Sequence, residues 1–266
     1  LRVGCHSHGS PLPLKPALQT SCNAFFCWGF KAMIDKRSKY GSSANAFETW
    51  KHHLVSMGYG YKLGVDLPGE SRGFIPNDRF YNRFYGEGHW SANTIISVSI
   101  GQGEILSTPL QIANLGATIA NRGHFFTPHI VKAIQDTVMP EEFSIPRYPT
   151  VEERHFHAVA EGMRMAVTGG TCRRAAIPGI EVCGKTGTAQ NPHGKDHSAF
   201  MGFAPYQNPR IAVAVYVENG GWGATYGVPI GSLVMEKYLT GTISPERKPM
   251  EAMMLNSSIV YAAPKR

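Results

Sequence analysis

What this 266-residue chain lacks removes several classes of function before any motif is read. It has no run of about 18 apolar residues, so no membrane-spanning helix is expected within it, and residues 1–20 lack the basic-then-apolar order of a secretory leader. Because its first residue is Leu1 and the opening segment reads as the middle of a longer protein, an upstream portion is expected to be missing. The five cysteines, Cys5, Cys22, Cys27, Cys172 and Cys183, are odd in number and form no Cys-x-x-Cys pair, so no disulfide framework can be read from their spacing. Most of them are expected as small buried hydrophobes. Cys5-His6 with His8 has ligand chemistry, but the neighbouring sequence does not complete a four-ligand set, so neither a metal nor a cofactor is expected. The net charge is +7, yet Lys and Arg form no stripe with interleaved aromatics, which argues against a nucleic-acid partner and suits work beside anionic lipid or polymer. Low-complexity tracts are missing as well, since the 29 glycines and 18 prolines are scattered.

What is present is a globular pattern with 42% hydrophobic residues. Leu14, Ala17, Leu18, Ala24, Phe25, Trp28 and Ala32 recur at helical steps, with a break near Thr20-Ser21 that places Ser21 at an N-cap. Residues 42–57 give a second helix, with Phe47, Trp50, Leu54 and Met57 along one side. Residues 58–88 read as ordered loop, and the aromatic group Phe80-Tyr81 to Tyr85 as its packing. Thr108-Pro109 opens a core helix that Asn121-Arg122-Gly123 stops, and residues 151–167 form an amphipathic one. Three runs then follow at 179–190, 198–205 and 210–218, the pattern of an antiparallel meander. A last helix spans 229–239 and Gly241 closes it. The expected class is α+β, with one domain over 1–240 and a tail over 241–266.

Lys185-Thr186-Gly187-Thr188 on the first of these strands is the sharpest chemical signal. An edge strand offers a fixed row of backbone N–H groups; an ammonium draws in an anion, threonine hydroxyls grip its oxygens, and glycine lets a substrate lie close to the backbone. Such a set suits a peptide carboxylate. Three Ser-x-Asn triplets occur, Ser21-Cys22-Asn23, Ser43-Ala44-Asn45 and Ser91-Ala92-Asn93, and the first stands between two helical segments, where a short loop can project side chains into a cleft. His124, His129, His155 and His157 read as surface or satisfied histidines. Gly101-Gln102-Gly103 lacks the downstream spacing of a phosphate-binding loop.

Ser21-Cys22-Asn23-Ala24-Phe25-Phe26, Leu67-Pro68-Gly69-Glu70, Gly101-Gln102-Gly103 with Thr108-Pro109-Leu110-Gln111, and Lys185-Thr186-Gly187-Thr188-Ala189-Gln190 come in the order found in class B penicillin-binding proteins, and the chain resembles that family, elongation type, over residues 1–240. The resemblance implies a penicillin-binding/serine β-lactamase-like transpeptidase fold, an antiparallel sheet covered by helices, with its N-terminal part missing. It implies a peptidoglycan D,D-transpeptidase that β-lactams inhibit. Ser21 would relay a proton to the leaving amine, and Asn23 would orient a lysine and the substrate amide. Lys185 would supply positive potential, and Thr186, Gly187 and Thr188 would bind the terminal carboxylate. The family's nucleophilic Ser-x-x-Lys is absent, since no lysine here has a serine three residues before it. Implied partners are the peptidoglycan stem peptide, β-lactams and membrane proteins of the elongation complex such as a glycosyltransferase. The implied location is the periplasmic face of the inner membrane, with an anchoring helix outside this chain. Other readings on the same fold are a β-lactam-sensing receptor and a non-catalytic scaffold.

Overall fold

The structure, a computed structural model, describes residues 4–259. In chain order it contains helices α1 (Leu14–Thr20), α2 (Asn23–Ile34), α3 (Arg37–Tyr40), α4 (Ser43–Ser56), α5 (Asp78–Tyr85), α6 (Pro109–Ala120) and α7 (Glu153–Gly169). Strands β1 (Cys183–Ala189), β2 (His197–Ala204) and β3 (Ile211–Val217) follow, then helices α8 (Gly227–Thr240) and α9 (Lys248–Leu255). The chain divides into two compact units: the described part of Leu1–Ser7 with Cys22–Thr118 and Gly123–Glu153, and His8–Ser21 with Ile119–Arg122 and the described part of Arg154–Arg266.

The first unit is built on aromatics. Phe30, Ile34, Phe47, Tyr81, Trp90, Ile95 and Val98 form its core, with Phe47 stacked on Trp50 at 5.4 Å and meeting Tyr81 and Trp90 edge-on. Burying each such ring is worth roughly 1.5–3 kcal/mol. The expected loop over 58–88 is corrected here, because α5 lies inside it. Asn77 caps that helix, its Oδ1 accepting from the Phe80 N–H at 2.8 Å, and the aromatics are held on a helical face that buries Tyr81. Two of the motif segments turn out to be backbone braces. The Glu70 carboxylate accepts from the N–H groups of Leu63, Gly64 and Val65 at 2.6, 3.0 and 3.3 Å. Gln111, buried in the first turn of α6, exchanges hydrogen bonds with Thr108 and donates from Nε2 to the carbonyls of Tyr61 and Arg72, each at 3.0 Å.

In the second unit the meander forms as expected, antiparallel and ordered β1-β2-β3, with Lys185 opposite Met201 and Phe200 opposite Val215. The helix α8 covers it. Its Gly231 lies so near β2 that a Cβ would stand 2.4 Å from the Phe200 ring, so only glycine admits this approach. Phe200, Val167, Cys172, Val182, Val228 and Met235 share the core. Within the expected tail, α9 and the turn before it are tied down by Arg247. Its Nη1 donates to Glu236 Oε2 at 2.8 Å, and both side chains are nearly inaccessible.

Removing one partner of a buried ion pair strands the other charge, so Arg247→Ala should lower unfolding free energy by about 3–5 kcal/mol. The double substitution Glu236→Gln with Arg247→Met should cost less. Urea denaturation checks this, and a loss below about 1 kcal/mol in R247A would show the pair contributes nothing.

Candidate active site

Ser21 ends α1 rather than opening α2. It is the left-handed C-cap, at φ 55° and ψ 51°, with its N–H turned back to the Leu18 carbonyl at 3.3 Å. The N-cap of α2 is instead Cys22, whose Sγ accepts from the Phe25 N–H at 3.4 Å. The difference is physical. A seven-residue helix must stop before a second one starts, and the turn needs one left-handed residue, a conformation that costs a non-glycine residue about 1 kcal/mol. Backbone held this way projects the Ser21 side chain out of the helix axis.

Opposite it stands β1. Gly184, the second residue of the strand, lies under the Phe200 ring, 2.6 Å from where its Cβ would sit, which fixes the strand's height on the core. Alternation then puts Lys185 and Gly187 on one face, and Thr186 and Thr188 on the other. Lys185 Nζ donates to Ser21 Oγ at 2.6 Å and to the Thr186 carbonyl at 2.8 Å. Burial pushes the Lys185 pKa below its ordinary value, and Cys172 works weakly in the opposite direction.

The threonines are also held. Thr186 Oγ1 donates to Thr171 Oγ1 at 3.0 Å, and Thr188 Oγ1 accepts from the Gly223 N–H at 3.2 Å. A Cβ on Gly223 would come within 2.4 Å of the Gly187 carbonyl oxygen, so the Trp222-Gly223 turn lies directly against the motif. Buried Ser198 pins that turn, donating to the Trp222 carbonyl at 2.8 Å and accepting from the Gly227 N–H at 3.0 Å. A Cβ on Gly187 would crowd the Ala199 Cβ at 3.2 Å, so glycine suits this point of the strand. The structure thus brings together Ser21, Lys185, Thr186, Gly187 and Thr188 in one unit. Asn23 belongs to the other unit, where its Nδ2 donates to the Gly4 carbonyl at 3.0 Å. Thr171, Ser198 and Gly223 were not singled out by sequence, although runs of glycine, Gly169-Gly170 and Gly220-Gly221, stand beside two of them. In the first unit Cys5 acquires a partner that its neighbourhood in sequence did not offer: its sulfur lies 3.7 Å from that of Cys22, two soft ligands side by side.

An amine desolvated against a serine hydroxyl, beside threonine hydroxyls on an open strand, can hold an anion and steer a proton. This α+β scaffold with a Lys-Thr-Gly-Thr strand facing a loop serine is the architecture of a penicillin-binding transpeptidase domain. Comparison with known proteins agrees. The penicillin binding protein transpeptidase domain matches residues 3–236. The peptidoglycan D,D-transpeptidase MrdA of Haemophilus influenzae is 33% identical over 222 residues, which is 75% of this chain and 33% of that protein. The crystal structure of Pseudomonas aeruginosa PBP2 in complex with WCK 5153 superposes with a TM-score of 0.69 at 32% identity, over 88% of this chain and 51% of that one. PBP2 of Helicobacter pylori in its complex with MreC gives 0.70 at 26% identity, over 91% and 44%. The chain belongs to the penicillin-binding protein transpeptidase domain family, and the relatives it matches are of the class B, PBP2 type. It spans about a third of the length of the MrdA protein it matches.

The lowered Lys185 pKa has a sign that can be read. A lysine disfavoured as a cation sheds its proton at lower pH than one in water. Any step that needs its charge should therefore hold steady below the folded-state pKa and fall as pH rises through it. For a step that uses the Lys185 charge, the alkaline limb is expected below the ordinary lysine value of 10.5. Lys185→Arg should move that limb upward, and a limb unmoved by this change would assign it to another group.

Proposed function

We propose that these residues form the carboxylate-binding and proton-relay side of a peptidoglycan D,D-transpeptidase site. The observation that carries the reading is the 2.6 Å hydrogen bond from Lys185 to Ser21, between residues 164 positions apart. In the proposed reaction a serine attacks the carbonyl between the last two D-alanines of a stem peptide. The C–N bond breaks, D-alanine leaves as an amine, and the peptide remains as an acyl ester. An amine of a second stem then takes the acyl group and frees the serine. The nucleophile is not among these 266 residues, which contain no Ser-x-x-Lys. Ser21 delivers the proton that the leaving amine needs, and the Lys185 cation polarises Ser21 and attracts the substrate's terminal carboxylate. Thr186 and Thr188 bind that carboxylate, and Gly187 lets the peptide lie along β1.

β-Lactams fit the same cradle, having an acyl carbonyl and a carboxylate at a similar separation. On this reading the protein works at the periplasmic face of the inner membrane. Among the described residues no helix is long and apolar enough to cross a membrane. The complex of H. pylori PBP2 with MreC supports elongation-complex proteins as partners.

Covalent labelling by a fluorescent penicillin tests the proposal. The natural protein should take up label, and Lys185→Ala and Ser21→Ala should each lower the labelling rate by about 100-fold or more. Undiminished labelling in K185A would remove Lys185 from the role given to it here.

A further inference from the structure

One residue outside the motifs ties both sides of the site together. Thr171 follows α7, where Gly169 and Gly170 let the chain turn against the end of α1. A Cβ on Gly170 would stand 2.2 Å from the Gln19 carbonyl oxygen and 2.8 Å from the Ala166 Cα, so no other residue fits. The Thr171 N–H donates to that Gln19 carbonyl at 3.1 Å, two residues before Ser21. Its Oγ1 accepts from Thr186 Oγ1 at 3.0 Å. Since Lys185 donates to Ser21, the connections close into a ring that runs from Ser21 through Gln19, Thr171, Thr186 and Lys185 back to Ser21. Thr186 and Thr171 thus form a row of two hydroxyls, with Cys172 next in the chain and buried in the core.

The direction of this row matters. Thr186 Oγ1 donates to Thr171 Oγ1, so its proton is committed there rather than offered to an anion. Both groups are hydroxyls, and each can donate or accept. We propose that Thr171 is a positioning residue that lets Thr186 recognise a carboxylate: when the anion arrives the two hydroxyls rotate, Thr171 donates to Thr186, and Thr186 donates to the carboxylate. No covalent bond is made or broken. Donors linked in this way strengthen one another, and the backbone bond to Gln19 keeps the pair in register with Ser21. The inference rests on the transpeptidase reading and extends it to a residue that touches neither the reacting carbonyl nor the carboxylate.

The test compares acylation of the natural protein by a β-lactam bearing a free carboxylate and by the methyl ester of the same compound. The wild type should prefer the acid. Thr171→Val keeps the shape and the backbone bond but cannot donate, and should compress the acid-to-ester ratio of acylation rates about three- to tenfold. Thr171→Ser should restore it to within about twofold. An unchanged ratio in T171V overturns the inference and leaves the transpeptidase reading in place, and so does an equal loss with both compounds, which would mark a merely structural role. If T171V does not fold, Thr171→Ala is read in the same way. A wild type that neither compound acylates overturns the transpeptidase reading, and this inference with it.

Discussion

The arrangement depends on keeping a desolvated ammonium in place. Lys185 is drawn out of water by its position on β1, and burial alone would drive it towards the neutral amine. Two oxygens oppose that, the Ser21 hydroxyl and the Thr186 carbonyl. The carbonyl is supplied by the strand itself, whereas the hydroxyl must be brought from the far end of α1. Everything that fixes Ser21 therefore also governs Lys185. The left-handed turn at Ser21 and the close approach of Gly170 to Gln19 can be read as conditions on the charge state of one amine.

Those conditions hold only if the sheet cannot slide, and Phe200 prevents sliding. Its ring sits where Cβ atoms on Gly184, Gly202 and Gly231 would collide with it, at 2.6, 2.5 and 2.4 Å respectively. One buried aromatic thus keys β1, β2 and α8 to the same point. A register shift of a single residue would place a side chain against the ring and turn Lys185 to the opposite face. The glycines are there for space, since none of the three has a positive φ.

Much of this was legible in the sequence because its signals are local. The meander, α4, α6, α7 and α8 follow from periodicity and caps, and the Lys185 strand from its tripeptide. What failed was set by distance. The aromatics of α5 read as loop, since their helix is defined by the Asn77 cap and by burial of Tyr81 against Phe47 and Trp90. Ser21 read as an N-cap because composition does not reveal which of two adjacent residues turns left-handed. Thr171 was invisible: its partners are Gln19, some 150 positions away, and Thr186, and nothing in Gly-Gly-Thr announces either.

The polar groups of the chain also divide by how fully they are used, and that division separates scaffold from site. Glu70 spends its carboxylate on three backbone N–H groups, and Gln111 spends both ends of its amide on backbone partners. Groups engaged in this way cannot turn toward a substrate without breaking the loop they hold. Lys185 has three N–H donors and gives two of them to neighbours, while Thr186 is held by a hydroxyl that can accept or donate. These groups keep capacity in hand. Motifs of equal prominence in the sequence therefore do opposite work: the Leu67-Pro68-Gly69-Glu70 and Thr108-Pro109-Leu110-Gln111 segments lock backbone, whereas Ser21, Lys185 and Thr186 stay partly uncommitted, as binding an incoming anion requires.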